Sequence, residues 1–163
     1  MTQKNKGMLL EKIINQTISF YEKNELAFIE KKSIPVKFSG VANDGIKLEN
    51  ASFKGKSTVD YIGCYKGYFV AFEAKSVEGD VFHYKNISSH QLKYLKKIMQ
   101  NGGCSFLIIF FNHYDSFFLV KTIDLLKWDK KSIKFNEMSE IGFRMDLIFP
   151  GIIDFLPFLN NLF

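Results

Sequence analysis

A chain of 163 residues is the size of one ordinary domain, and a hydrophobic fraction of 47% with 16% aromatics supplies a real core and excludes a disordered chain. The net charge of +5 favours a polyanionic partner, DNA or RNA before others. Arg144 is the sole arginine, and lysine meets phosphates as a point charge where base-edge forks favour arginine, so nucleic-acid contact should lean on backbone and shape more than on sequence.

Leu9, Leu10, Ile13, Ile14, Thr17 and Tyr21 recur at spacings of three and four, which predicts an amphipathic helix over 8–24, with Asn24 as its stop. A short strand follows over 27–31 and is broken by Ile34-Pro35. Turn residues punctuate short alternating pieces over 36–56, a pattern for a protruding hairpin or loop. Two strands are then expected over 58–65 (TVDYIGCY) and 68–75 (YFVAFEAK), joined by the tight-turn pair Lys66-Gly67. A helix over 89–100 buries Leu92, Leu95, Ile98 and Met99, with N-cap candidates in Asn86-Ile87-Ser88-Ser89 and a stop at Gly102-Gly103. The continuous run SFLIIFF over 105–111, apolar after Ser105, reads as a central buried strand, 114–120 as another strand and 122–127 as a short helix. The apolar tail from 141 should dock onto the body. Strands interleaved with helices make a mixed sheet with helices on its faces, an α/β or α+β class, and no repeat or second-domain boundary is visible over 1–163.

Cys64 and Cys104 form neither a disulfide framework nor a CxxC pair, which fits reduced thiols in a cytosolic protein. The first apolar stretch stops at Leu10, too short for a signal peptide. The runs SFLIIFF and GIIDFLPFLNNLF are too short or too broken to span a bilayer. A cytoplasmic location without membrane attachment is expected.

The chemistry concentrates on Asp60, Glu73 and Lys75. Each charge lies on a segment that otherwise reads as a buried strand. Glu73 and Lys75, two residues apart, share a face. With the turn at Lys66-Gly67, position 60 falls opposite position 73, so two carboxylates and an ammonium converge. Two carboxylates with few other ligands suit a hard cation such as Mg²⁺, with Mn²⁺ as the alternative. Lys75 would orient a water or stabilise developing charge. The implied reaction is hydrolysis of a phosphodiester. E-x-K by itself reads equally well as an ion pair; the preceding Asp on the same hairpin, the basic charge and the following helix give it weight.

Gln91, near the start of that helix, can bind a metal water or a phosphate, or stand as an ordinary exposed glutamine. His90 beside it is a proton donor or a surface histidine. Glu11, among apolar neighbours in the first helix, is a third carboxylate for the metal or a solvated helix residue. Lys31, Lys32, Lys37, Lys54 and Lys56 would neutralise phosphates. Phe53 among them, at an arm tip, would stack on a base or wedge into a junction, or simply pack within a loop.

Together these segments resemble the RecU family of Holliday-junction resolvases over nearly the whole chain. NKGMLLEKIIN resembles its N-terminal motif, with Lys6 where arginine is usual. IEKKSIPVKF resembles its lysine-proline strand, and ASFKGKSTVDYIGCYKGYFVAFEAKS its most specific block. NISSHQLKYL and GGCSFLIIFF resemble the following helix and strand. The resemblance implies a PD-(D/E)xK restriction-endonuclease-like fold: a mixed sheet flanked by helices, with a stalk at about 36–57 that inserts at a four-way DNA junction. It also implies a homodimer and a recombinase partner. It gives Asp60, Glu73 and Lys75 catalytic roles, Gln91 and Glu11 supporting roles at the metal, and Phe53 and Lys54 a place in the stalk; Thr58 joins the expected metal residues, and Lys6 those expected to face DNA. Val59 departs from the threonine usual before the aspartate, although Thr58 stands one residue earlier, and in a strand it should face away from Asp60. That departure keeps a non-catalytic junction-binding or recombinase-modulating protein in view. A duplex endonuclease of the same fold is the other alternative, since fold alone does not choose between them.

Overall fold

The computed structural model describes residues 3–55 and 58–160, with the side chains of 3–6 outside the description. Helix α1 (Gln3–Lys23) begins five residues before the predicted start. It buries Leu10, Ile13, Ile14, Thr17, Ile18 and Tyr21 on one stripe. Asn24 ends it as expected, its side-chain amide donating to the Phe20 carbonyl at 2.8 Å.

Strand β1 (Phe28–Lys31) follows. The arm is a hairpin of two short ladders in one register, β2 (Val36–Lys37) with β5 (Ser52–Phe53) and β3 (Gly40–Val41) with β4 (Leu48–Glu49). Asp44 turns its tip by accepting the backbone N–H groups of Ile46 and Lys47.

Strands β6 (Tyr61–Tyr65) and β7 (Tyr68–Val77) form the expected hairpin. Lys66 and Gly67 both take positive φ, 49° and 83°, the type I′ geometry that matches strand twist. Tyr61 therefore pairs with Phe72 and Tyr65 with Tyr68, the register that the turn predicted. β7 runs on for two residues past Lys75 and leads to β8 (Val81–His83). Helix α2 (Ser89–Gln100) crosses over to β9 (Cys104–Phe111), which runs parallel to β7 and is buried along its whole length.

The remainder is β10 (Ser116–Lys121), α3 (Thr122–Lys127), β11 (Ser132–Lys134), α4 (Met138–Ile141) and β12 (Gly142–Met145), then the hairpin β13 (Leu147–Ile148) with β14 (Ile152–Ile153), and α5 (Leu156–Leu159). The main sheet is ordered β1-β6-β7-β9-β10-β12, antiparallel apart from β7 and β9.

Each face of the sheet carries its own core. One is closed by α1 and the tail, with Phe72 stacked between Tyr61 and Phe106 at ring separations of 4.8 Å. The tail docks by polar contacts as well: the Tyr21 hydroxyl donates to Asp154 at 2.7 Å and accepts the Phe155 N–H at 2.8 Å. The other core lies under α2 and α3 and includes Val59, Leu95 and Leu125.

Gly63 leaves no room for a side chain where β6 faces β1. A Cβ there would stand 2.2 Å from the Phe28 carbonyl oxygen and 2.6 Å from the Ile29 Cα, both backbone atoms that cannot swing aside. Gly63→Ala should therefore destabilise the fold by about 1–3 kcal/mol, read as a lower midpoint in urea with an unchanged slope. A wild-type midpoint would mean that β1 shifts freely on the sheet.

Candidate active site

The site forms where β6 and β7 part company. β6 starts at Tyr61, opposite Phe72, so β7 beyond Phe72 has lost its partner on that edge. An unpaired strand N–H there needs an acceptor. Asp60 supplies it: its Oδ2 accepts the Ala74 N–H at 3.1 Å, while its own carbonyl accepts the Lys32 N–H at 2.8 Å. The predicted strand over 58–65 is thus shortened. Residues 58–60 are irregular, and that irregularity brings the Asp60 carboxylate to the open edge of β7.

Glu73 is 1% exposed, a carboxylate inside the sheet. Its Oε1 accepts the Lys75 ammonium at 2.7 Å and also the Gln91 side-chain amide. Its Oε2 is buried without a hydrogen-bond partner among the described residues. Burial pushes its pKa up from 4.5 to about 7; the negative charge of Asp60 adds to the rise and Lys75 opposes it. The site is therefore short of positive charge. A buried oxygen with no donor beside a second carboxylate is the donor set of a hard divalent cation, so the residues fit the metal that the sequence implies.

Gln91 arrives from the first turn of α2. Its Oε1 accepts the Ser88 N–H at 3.0 Å and the Ser88 hydroxyl at 2.8 Å. The carbonyl that would have met a metal or its water is thus held by the helix cap, and the amide end reaches Glu73. His90 is half-buried, with Nε2 3.2 Å from the Ser88 hydroxyl.

Glu11 lines a cavity of about 270 Å³ together with Lys31, Lys32, Asp60, Ala74 and Ser76, and there it is ion-paired with Lys31. Among the described residues no cluster of three or more His, Cys, Asp or Glu side chains is placed to hold a metal. Thr58 is likewise engaged, accepting the Lys32 ammonium at 2.6 Å. Lys32 also lies 4.9 Å from the centre of the Tyr94 ring on α2, so it ties the foot of the arm to that helix. Val59 is fully buried in the α2-side core and packs there.

Phe53 is 76% exposed but sits at the root of the arm, paired with Val36; the tip carries Ile46, 83% exposed. The alternating pattern of the arm locates a hairpin without saying which residues lie at its apex. Lys37 and Lys54 are exposed along it. Lys56 and the Lys6 side chain lie outside the described residues. On sequence Ser88 is a cap candidate and nothing more; its position three residues before a polar residue that faces the site is the available signal.

The family model for RecU, recombination protein U, matches residues 5–161. The chain is 44% identical to the Holliday junction resolvase RecU of Mycoplasmopsis pulmonis, covering 99% of this chain and 98% of that one. It is 36% identical to the protein of the same name from Ureaplasma parvum, covering 99% and 96%. The Bacillus subtilis protein of that name is 31% identical, covering 98% and 82%. In fold it is similar to Hjc of Archaeoglobus fulgidus, a Holliday junction resolvase, with a TM-score of 0.51 at 10% identity over 82% of this chain and 93% of that one. The sheet order, the crossover helix and this likeness make the fold restriction-endonuclease-like, and with relatives of such identity along its whole length the chain belongs to the RecU family.

Proposed function

We propose that this protein is a structure-specific endonuclease that resolves four-way DNA junctions by metal-dependent hydrolysis of phosphodiesters, in recombination and repair. The observation that carries the reading is the buried, donorless Oε2 of Glu73 beside Asp60, in a chain whose full-length relatives are named as Holliday junction resolvases.

Asp60 and Glu73 would hold the cation, Mg²⁺ in the first instance and Mn²⁺ as a substitute. When bound, such a cation supplies an acidified water and offsets charge on a phosphoryl oxygen. Lys75 holds Glu73 in place and is itself partly open to solvent, so its ammonium is available to orient the nucleophile and stabilise developing charge. Gln91 aligns Glu73 from the other side. Lys31 and Lys32, which line the cavity next to Asp60, favour a phosphate there. Thr58 and Glu11 support the site through those two lysines.

The arm, with Phe53, Lys54 and Ile46 exposed, is suited to enter the open centre of a branched DNA. Its lysines would grip phosphates and its apolar side chains would meet unstacked bases. Two symmetric cuts across a junction call for a twofold pair of sites, hence a homodimer. A recombinase partner and a cytoplasmic location fit work on chromosomal recombination intermediates. No helix among the described residues is long and apolar enough to cross a membrane. Val59 packs in the α2-side core, which supports an active enzyme over a binding protein without activity.

The test is nicking of a labelled mobile four-way junction beside a linear duplex of the same sequence, with Mg²⁺, Mn²⁺ or chelator. Paired symmetric nicks in the junction alone, lost with chelator, are expected. Equal cutting of the duplex would indicate a general endonuclease, and tight junction binding without cutting in either metal would indicate a binding protein.

A further inference from the structure

Helix α2 opens with Ser88 as its N-cap, at φ −69° and ψ 151°, and the third helical residue is Gln91. In the usual reciprocal cap the side chain at that third position accepts the N-cap N–H. Here the same Gln91 oxygen takes both the Ser88 N–H, at 3.0 Å, and the Ser88 hydroxyl, at 2.8 Å. The hydroxyl has one proton to give and Gln91 takes it, so His90 Nε2, 3.2 Å away, is left to donate to the Ser88 oxygen.

A primary amide whose oxygen is held by two donors must point its NH₂ the other way. That NH₂ donates to Oε1 of the buried Glu73. Turned over, the amide would set its oxygen against a carboxylate and its NH₂ against the Ser88 N–H, which is repulsive at both ends even where the hydroxyl turns to accept. With Lys75 on the same Oε1 at 2.7 Å, the rotamer of Glu73 is fixed and Oε2 is left for the cation. From this geometry we infer that Ser88 is a positioning residue: through Gln91 it sets the orientation of Glu73. The inference rests on the resolvase reading above.

A helix cap alone would also want serine at this place. The two roles separate because the Ser88 side chain caps the residue-91 backbone N–H whatever side chain stands there, whereas positioning needs the Gln91 amide. The experiment is a cycle of Ser88→Ala, Gln91→Ala and the double variant, with Ser88→Thr as the conservative control. It is read three ways: melting temperature, cleavage of a four-way junction at saturating Mg²⁺, and Mn²⁺ affinity of the DNA-free protein.

Ser88→Ala should lower kcat about tenfold with KM within about twofold, and weaken Mn²⁺ binding several-fold. Ser88→Thr should restore both. In the Gln91→Ala background, adding Ser88→Ala should change neither kcat nor Mn²⁺ affinity further, while still lowering the melting temperature through the lost cap. Equal losses in both backgrounds, or an unchanged kcat in Ser88→Ala, would overturn the inference. A wild type that fails to cut junctions would sink the resolvase reading instead, and the Mn²⁺ cycle would still decide the role of Ser88.

Discussion

Asp60→Asn is expected to bind a four-way junction with an affinity within about threefold of the wild type and to cut it at least about 10³-fold more slowly. The substitution keeps the size of the side chain and an oxygen able to accept the Ala74 N–H, so the irregular turn before β6 should persist. What it removes is charge. Asp60 and Glu73 are the two carboxylates at this edge, and losing one leaves Glu73 alone to hold a divalent cation. Binding of DNA should be spared because the lysines and the arm are untouched. The measurement pairs junction binding in chelator with single-turnover cleavage in Mg²⁺. Wild-type cutting by this variant would place the metal elsewhere, and a large loss of binding would mean that Asp60 supports the fold of the DNA-facing surface.

The parts of this site that were legible in the sequence are those set by local rules. The Lys66-Gly67 turn fixed the register of β6 on β7, and the alternation of β7 put Glu73 and Lys75 on one face. The resemblance supplied the fold, and the arm showed itself by its turn residues. What stayed hidden depends on contacts between distant segments. β8 and β11 have three residues each and become strands only by pairing with one another. β12 reads as part of an apolar tail until β10 gives it a partner. Asp60 could be placed opposite Glu73, but its hold on the Ala74 N–H follows from where β6 begins, a boundary the pattern does not mark. Glu11, a metal carboxylate or a solvated helix residue on sequence, and Thr58, expected at the metal, are each paired with a lysine from the segment that follows α1, and helical or strand periodicity says nothing about such pairs. Gln91 reads in the sequence as a ligand for a metal water or a phosphate, but its carbonyl accepts from Ser88, and its amide end donates to Glu73.

In chelator, the wild-type melting temperature should fall as the pH is raised, while that of Glu73→Gln stays flat. The sign follows from the raised pKa. Glu73 moves from an ordinary 4.5 to about 7 in the folded protein, so the folded state holds its proton more tightly than the unfolded chain does. The stabilisation is fully present below pH 4.5 and is lost as the pH climbs through about 7, where a charged carboxylate must sit buried beside Asp60. The whole shift is worth roughly 3 kcal/mol, or about 6–12 °C in a domain of this size. At pH 8 without metal, Glu73→Gln should therefore melt above the wild type, although it cannot cleave. Adding Mg²⁺ or Mn²⁺ should raise the wild type and leave Glu73→Gln nearly unmoved, because a cation that binds the folded state stabilises it only where the ligand exists. Differential scanning calorimetry from pH 5 to pH 8, with and without metal, separates these terms. A wild type as flat as the variant in chelator would mean that Lys75 and Gln91 already neutralise Glu73 in full, and the case that this carboxylate waits for a cation would lose its electrostatic basis.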